Sequence, residues 1–79
     1  MDKTSILYET KKVIAQFTGL AEEEIDDESA LIQDLGLSSL EIISMLKSLE
    51  KSFHVALSVR ELRKVVTLSD LANEVLERQ

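Results

Sequence analysis

Apolar residues at Ile6, Leu7, Val13, Ile14 and Phe17 recur at the spacing of one helix face, and Gly19 follows as a stop signal. The pattern predicts a first helix over about residues 3–18. From Leu20 to Leu37 the periodicity dissolves into single apolar anchors, Leu20, Ile25, Leu31 and Leu35, set among acidic and small residues. A structureless loop of that length is uncommon in a compact domain, so the segment is expected to pack down through those anchors and to hold a short helical turn.

The clearest amphipathic stretch follows. In "SLEIISMLKSLEKSF" the residues Ile42, Leu46, Leu49 and Phe53 repeat at i, i+4, i+7 and i+11, which predicts a second helix over about 39–53. "SVRELRK" predicts a short helix over about 59–64. "TLSDLANEVLERQ" predicts a last one over about 67–78, with Leu68, Leu71, Ala72, Val75 and Leu76 inward. No segment alternates at period two for long enough to be a strand. Three of the helix starts share one device, a cap residue with an acid three positions on: Ser38 with Glu41, Ser58 with Glu61, and Thr67 with Asp70. The expected fold is all-α. It is a small four-helix bundle with three longer helices, one short helix, and a long loop between the first two, forming one domain over residues 1–79.

Composition narrows the chemistry. With 79 residues the chain has room for one modest core and none for a deep catalytic cleft. It contains no cysteine, which removes disulfides, a thiolate nucleophile and any Cys-based metal site. No apolar run reaches the length of a membrane span and the N-terminus is not signal-like, so a soluble cytoplasmic protein is expected, without membrane insertion. The net charge of −6 argues against nucleic acid as a partner. The charge is uneven: residues 1–46 carry ten acids and three bases, a balance of −7, and residues 47–79 carry five acids and six bases, a balance of +1. Lys47, Lys51, Arg60, Arg63 and Lys64 make a basic spot in the second part.

One serine is left over. If Ser38 caps the second helix, Ser39 is its first helical residue and its hydroxyl is not needed for capping. It stands where backbone N–H groups lack partners and the helix dipole favours negative charge, so a phosphate attached there would be stabilised locally. On a helical wheel, Leu40 points roughly 150° from the core direction and Ile43 about 90°. These two side chains either form a docking patch beside Ser39 or bury against the 20–37 loop.

The stretch "DLGLSSLEIISMLKSLEKSF" resembles the "DLG-x-D-S-L" segment of acyl carrier proteins. "GLAEEEIDDESALIQDLG" resembles that family's acidic approach loop, and "FHVALSVRELRKVVTLSDLANEVL" its third and last helices, so the likeness spans nearly the whole chain. The resemblance implies a non-enzymatic carrier in which Ser39 receives 4′-phosphopantetheine from coenzyme A and acyl groups ride on the arm's thiol as thioesters. Fatty acid, polyketide or related biosynthesis would use it. The implied partners are a phosphopantetheinyl transferase and acyl-loading and acyl-using enzymes, met by a monomer through Asp34, Leu37, Ser38, Leu40, Glu41, Ile43, Lys47 and Glu50. Asp34, Leu35 and Gly36 would form the approach. Two departures stand out. The usual Asp before the modified serine is Ser38, and the second helix mixes Glu41 and Glu50 with Lys47 and Lys51. The first bears on which transferase accepts the chain; the second, with the basic third-helix region, suggests a specialised carrier with dedicated partners.

Other candidate chemistry is thin. His54 is the only histidine and has no Cys, His or placed carboxylate to complete a triad or a zinc site, so it reads as a solvated residue ending the second helix. The run Glu22–Glu24 with Asp26–Glu28 lacks the ligand alternation and glycine of a calcium loop and reads as solvated surface; no metal is expected. "SMLK", residues 44–47, has the S-x-x-K spacing of penicillin-interacting enzymes without their companion motifs. Phe17 and Phe53 read as core residues rather than a stacking platform. The competing reading of the chain is an unmodified helical module of carrier-like fold that binds a protein through Leu40, Ile43 and the basic spot.

Overall fold

A computed structural model describes residues 2–79. Its three long helices fall where the periodicity predicts them: α1 over Lys3–Thr18, α2 over Ser39–Phe53 and α3 over Leu68–Glu77. A 3₁₀ turn at Glu22–Glu24 supplies the helical turn expected in the long loop. The short fourth helix, Val59–Lys64, is wound as a 3₁₀ helix and buries no residue of its own.

The ends of the helices explain their lengths. Asp2 caps α1 by accepting from the Ser5 N–H at 2.9 Å, and Gly19, at φ +76°, ends it by donating to the Ala15 carbonyl. Only a residue free of Cβ strain takes that left-handed turn without cost. At the end of α2 the same turn falls on His54, at φ 56° and ψ 43°, whose exposed imidazole plays no part in the cap. Both capping boxes at the long helices close as expected. Ser38 Oγ accepts from the Glu41 N–H at 3.1 Å while Glu41 accepts from the Ser38 N–H at 2.9 Å, and Thr67 and Asp70 do the same at 3.1 and 3.0 Å.

α1 packs against both α2 and α3, and the buried side chains of all three meet in one cluster with Ile25, Leu31, Leu35 and Leu37 of the long loop. The inward face of each helix differs in detail from the sequence reading. Thr10 is fully buried among aliphatics because its hydroxyl donates to the Ile6 carbonyl one turn back at 2.7 Å, which satisfies it without a tertiary partner. Met45 is fully buried as well. Leu76, expected inward, is 40% exposed near the end of α3, where Val75 takes the inward position. Phe17 and Phe53 lie half-buried at the margin of the core.

The loop over residues 20–37 is held by α3. The first N–H groups of α3 have no partners within the helix, and here Leu68 donates to the Ser29 carbonyl at 3.1 Å and Ser69 to the Asp27 carbonyl at 2.7 Å. Leu31 in turn donates to the Val66 carbonyl at 2.9 Å, and Lys11 of α1 pairs with Asp27 at 2.7 Å. The acidic segment is thus exposed in its side chains and fixed in its backbone.

Candidate functional site at the start of α2

The chain turns into α2 through residues 30–38. The Asp34 carboxylate accepts from the Ala30 N–H at 2.8 Å, Gly36 takes a left-handed conformation at φ +71°, and the Leu37 N–H closes the turn on the Leu31 carbonyl at 3.1 Å. Leu31, Leu35 and Leu37 are buried beneath it. This pins the backbone just before Ser38 and so fixes the direction in which α2 starts.

Ser39, the first residue of α2, is exposed, and its hydroxyl makes no hydrogen bond among the described residues. The capping acceptor is Ser38, and the helix's own acid, Glu41, is spent on the reciprocal bond. Among the described residues the N–H groups of Ser39 and Leu40 have no acceptor. An anionic ester on the Ser39 oxygen therefore fits: nothing has to be displaced, and two free donors and the positive end of a 15-residue helix stand beside it.

Beside Ser39 opens a cleft of about 400 Å³. Leu31 and Ile32 of the loop form one wall, Ile42 and Ile43 of α2 a second, and Leu62 and Val65 a third, so the lining is mostly aliphatic. Ser39 and Arg63 are among the few polar side chains that reach it.

The residues expected to meet partners separate into groups. Leu40 is 77% exposed and Lys47 is exposed, whereas Ile43 is half-buried and lines the cleft next to the loop. Ser38 and Glu41 belong to the capping box, and Asp34 holds the approach turn. Glu50 accepts from the Leu57 N–H at 3.1 Å and ties the end of α2 to the segment before the 3₁₀ helix. Leu37 is a correction: at 2% exposure it is a core residue, because the turn at Gly36 reverses the chain and points it inward, and it is not available to a partner. The sequence reading missed the opposite wall of the cleft. The signal was present in Ile32, Val59 and Val66, three exposed aliphatics outside any long amphipathic helix.

Among the described residues the fold is thus helical, with an unengaged serine at a helix start beside an aliphatic cleft. The family model for the phosphopantetheine attachment site matches residues 10–75, and the chain belongs to that family. Its prosthetic group is 4′-phosphopantetheine and it is a carrier, not an enzyme. The chain is similar to the acyl carrier protein of Campylobacter fetus, at 30% identity over 71 residues, which covers 90% of this chain and 92% of that protein. Its fold matches the solved structure of the acyl carrier protein from Enterococcus faecalis over the full length of both chains, with a TM-score of 0.82 at 18% identity. A carrier of this kind is served by a transferase and by acyl-handling enzymes. No helix among the described residues is long and apolar enough to cross a membrane.

Proposed function

We propose that Ser39 is the attachment residue for the phosphopantetheine arm, and that the chain carries acyl groups there for a dedicated set of enzymes. The observation that supports this is the unengaged, exposed hydroxyl of Ser39 at the first turn of α2, next to a cleft lined by Leu31, Ile43 and Leu62. The arm supplies a terminal thiol that holds acyl groups as thioesters, a function this cysteine-free chain cannot supply from its own side chains.

The protein's own residues have three tasks. Ser38 and Glu41 fix the helix start so that the serine is presented, Leu40 offers an apolar contact to whatever enzyme approaches, and the cleft shelters apolar cargo. Lys47 and Lys51 on α2, with Arg60 and Lys64 on the 3₁₀ helix, are exposed and have no ion pair among the described residues. That favours partners whose docking faces tolerate or prefer positive charge, hence a specialised member of the family.

Incubation with coenzyme A and a broad-specificity transferase, followed by intact-mass measurement, tests the attachment. The native chain gains one phosphopantetheinyl group and Ser39→Ala gains none. No gain on the native chain, or a gain that persists in S39A, overturns the assignment and favours the unmodified interaction module.

A further inference from the structure

We propose that Arg63 is a positioning residue for the arm: its guanidinium pairs with the phosphodiester at Ser39 and holds the arm across the mouth of the cleft, directing cargo inward. The inference rests on the attachment reading above.

The charges around the cleft carry the argument. Arg63 is the one cation that lines it, and it has neither an ion pair nor a side-chain hydrogen bond among the described residues. The acids of the two helices that border the cleft, α2 and the 3₁₀ helix, are engaged elsewhere. Glu61, two residues away, is bound by Arg78 at 2.7 Å, Glu50 serves the Leu57 N–H, and Glu41 is held in the capping box. With three residues per turn in a 3₁₀ helix, Val59 and Leu62 fall on one face, and with Val65 beyond them they line the cleft. Arg63 follows at the edge of that face, and Arg60, one turn earlier, is not part of the lining. Ser39 and Arg63 thus stand on different elements, α2 and the 3₁₀ helix, and border the same space.

A phosphodiester keeps one negative charge throughout the working pH range, and a guanidinium is matched to it because its planar fork can grip two oxygens together. The free N–H groups at the start of α2 receive the anion from one side, and Arg63 meets it from the other. An arm held in that direction lies over Ile43, Leu62 and Val65 rather than pointing outward past Leu40.

The test uses the full chain with the arm attached to the native protein, Arg63→Gln, Arg63→Lys and Arg60→Gln, each also carrying an octanoyl thioester. The ³¹P shift, ¹⁵N relaxation of the arm amides and the rate of thioester cleavage by hydroxylamine are measured. R63Q is expected to move the ³¹P and arm-amide signals toward those of free phosphopantetheine and to speed cleavage about threefold, the scale of an exposed charge pair. R63K restores part of the effect and R60Q matches the native chain. Raising salt to about 0.5 M, where the screening length falls to a few ångströms, reproduces R63Q in the native protein without any substitution. Indifference of the native protein to salt, identity of R63Q with the native chain, or equal effects of R60Q and R63Q would each overturn the proposal. A native chain that takes no arm brings down the attachment reading and this one together. One that takes it while R63Q changes nothing removes this one alone.

Discussion

The two non-α2 walls of the cleft are built in opposite ways. The loop over residues 20–37 has little regular structure, yet Ile25, Leu31, Leu35 and Leu37 are buried and its backbone is bonded to the start of α3 at Leu68 and Ser69 and to Val66. The 3₁₀ helix Val59–Lys64 is regular, yet buries nothing completely: Leu62 packs against the margin of the core, Glu61 pairs with Arg78, and Glu50 ties the preceding segment at Leu57. Regularity and anchorage are separate properties here. Long-range bonds and buried anchors fix a segment, whereas a short run of 3₁₀ bonds only shapes it. The loop is the more firmly anchored wall of the cleft and the 3₁₀ helix the less firmly anchored one.

The difference can be broken most severely on the loop side. Leu31→Ala removes a buried anchor and should cost about 2–5 kcal/mol, lowering the urea midpoint steeply. Leu62→Ala, half-buried on the other wall, should cost clearly less while weakening protection of a bound acyl chain. If the two substitutions destabilise equally, the contrast between the walls is wrong. Thr67→Ala removes the cap at the junction of loop and α3 and should cost about 1 kcal/mol, read in the same denaturation experiment.

Acid should loosen the same junction. The Asp70 carboxylate is held below its usual 3.8 by the N–H groups of Thr67 and Val66. A carboxylate with a folded-state value lowered in this way stabilises the fold above its unfolded value, and that stabilisation is lost as pH falls through the lowered value. The native chain should therefore lose stability below pH 3.8, and Asp70→Asn should flatten that acid limb in a pH series of thermal melts. Glu61 is lowered too, first by the Arg78 guanidinium, and Arg78→Ala tests the weaker tether. It should barely move the unfolding midpoint, because the pair lies in solvent, but should speed hydrogen exchange at residues 61–64 while Leu31, Leu68 and Ser69 stay protected.

Much of this was legible in the chain. The α2 stripe Ile42, Leu46 and Leu49 is buried as its spacing requires, and the boxes Ser38–Glu41 and Thr67–Asp70 mark the helix starts because capping is a contact within three residues. That same locality made Ser39 readable as the serine without a capping task. Thr10 escaped because a hydroxyl counts as polar by pattern, although its bond to Ile6 lets it be buried. Leu37 was misplaced because nothing local says on which side of the Gly36 turn its side chain falls.

The sequence alone determined the helices, their caps and the presented serine, since each rests on residues a few positions apart. Tertiary structure alone decided that an apparently loose acidic loop is the firm wall of a cleft, and that Arg63 shares that cleft with Ser39, 24 positions away. Those facts depend on which surfaces α1 and α3 leave free once the core has closed. No pattern within a single segment encodes the order in which distant segments claim one another's unpaired backbone groups.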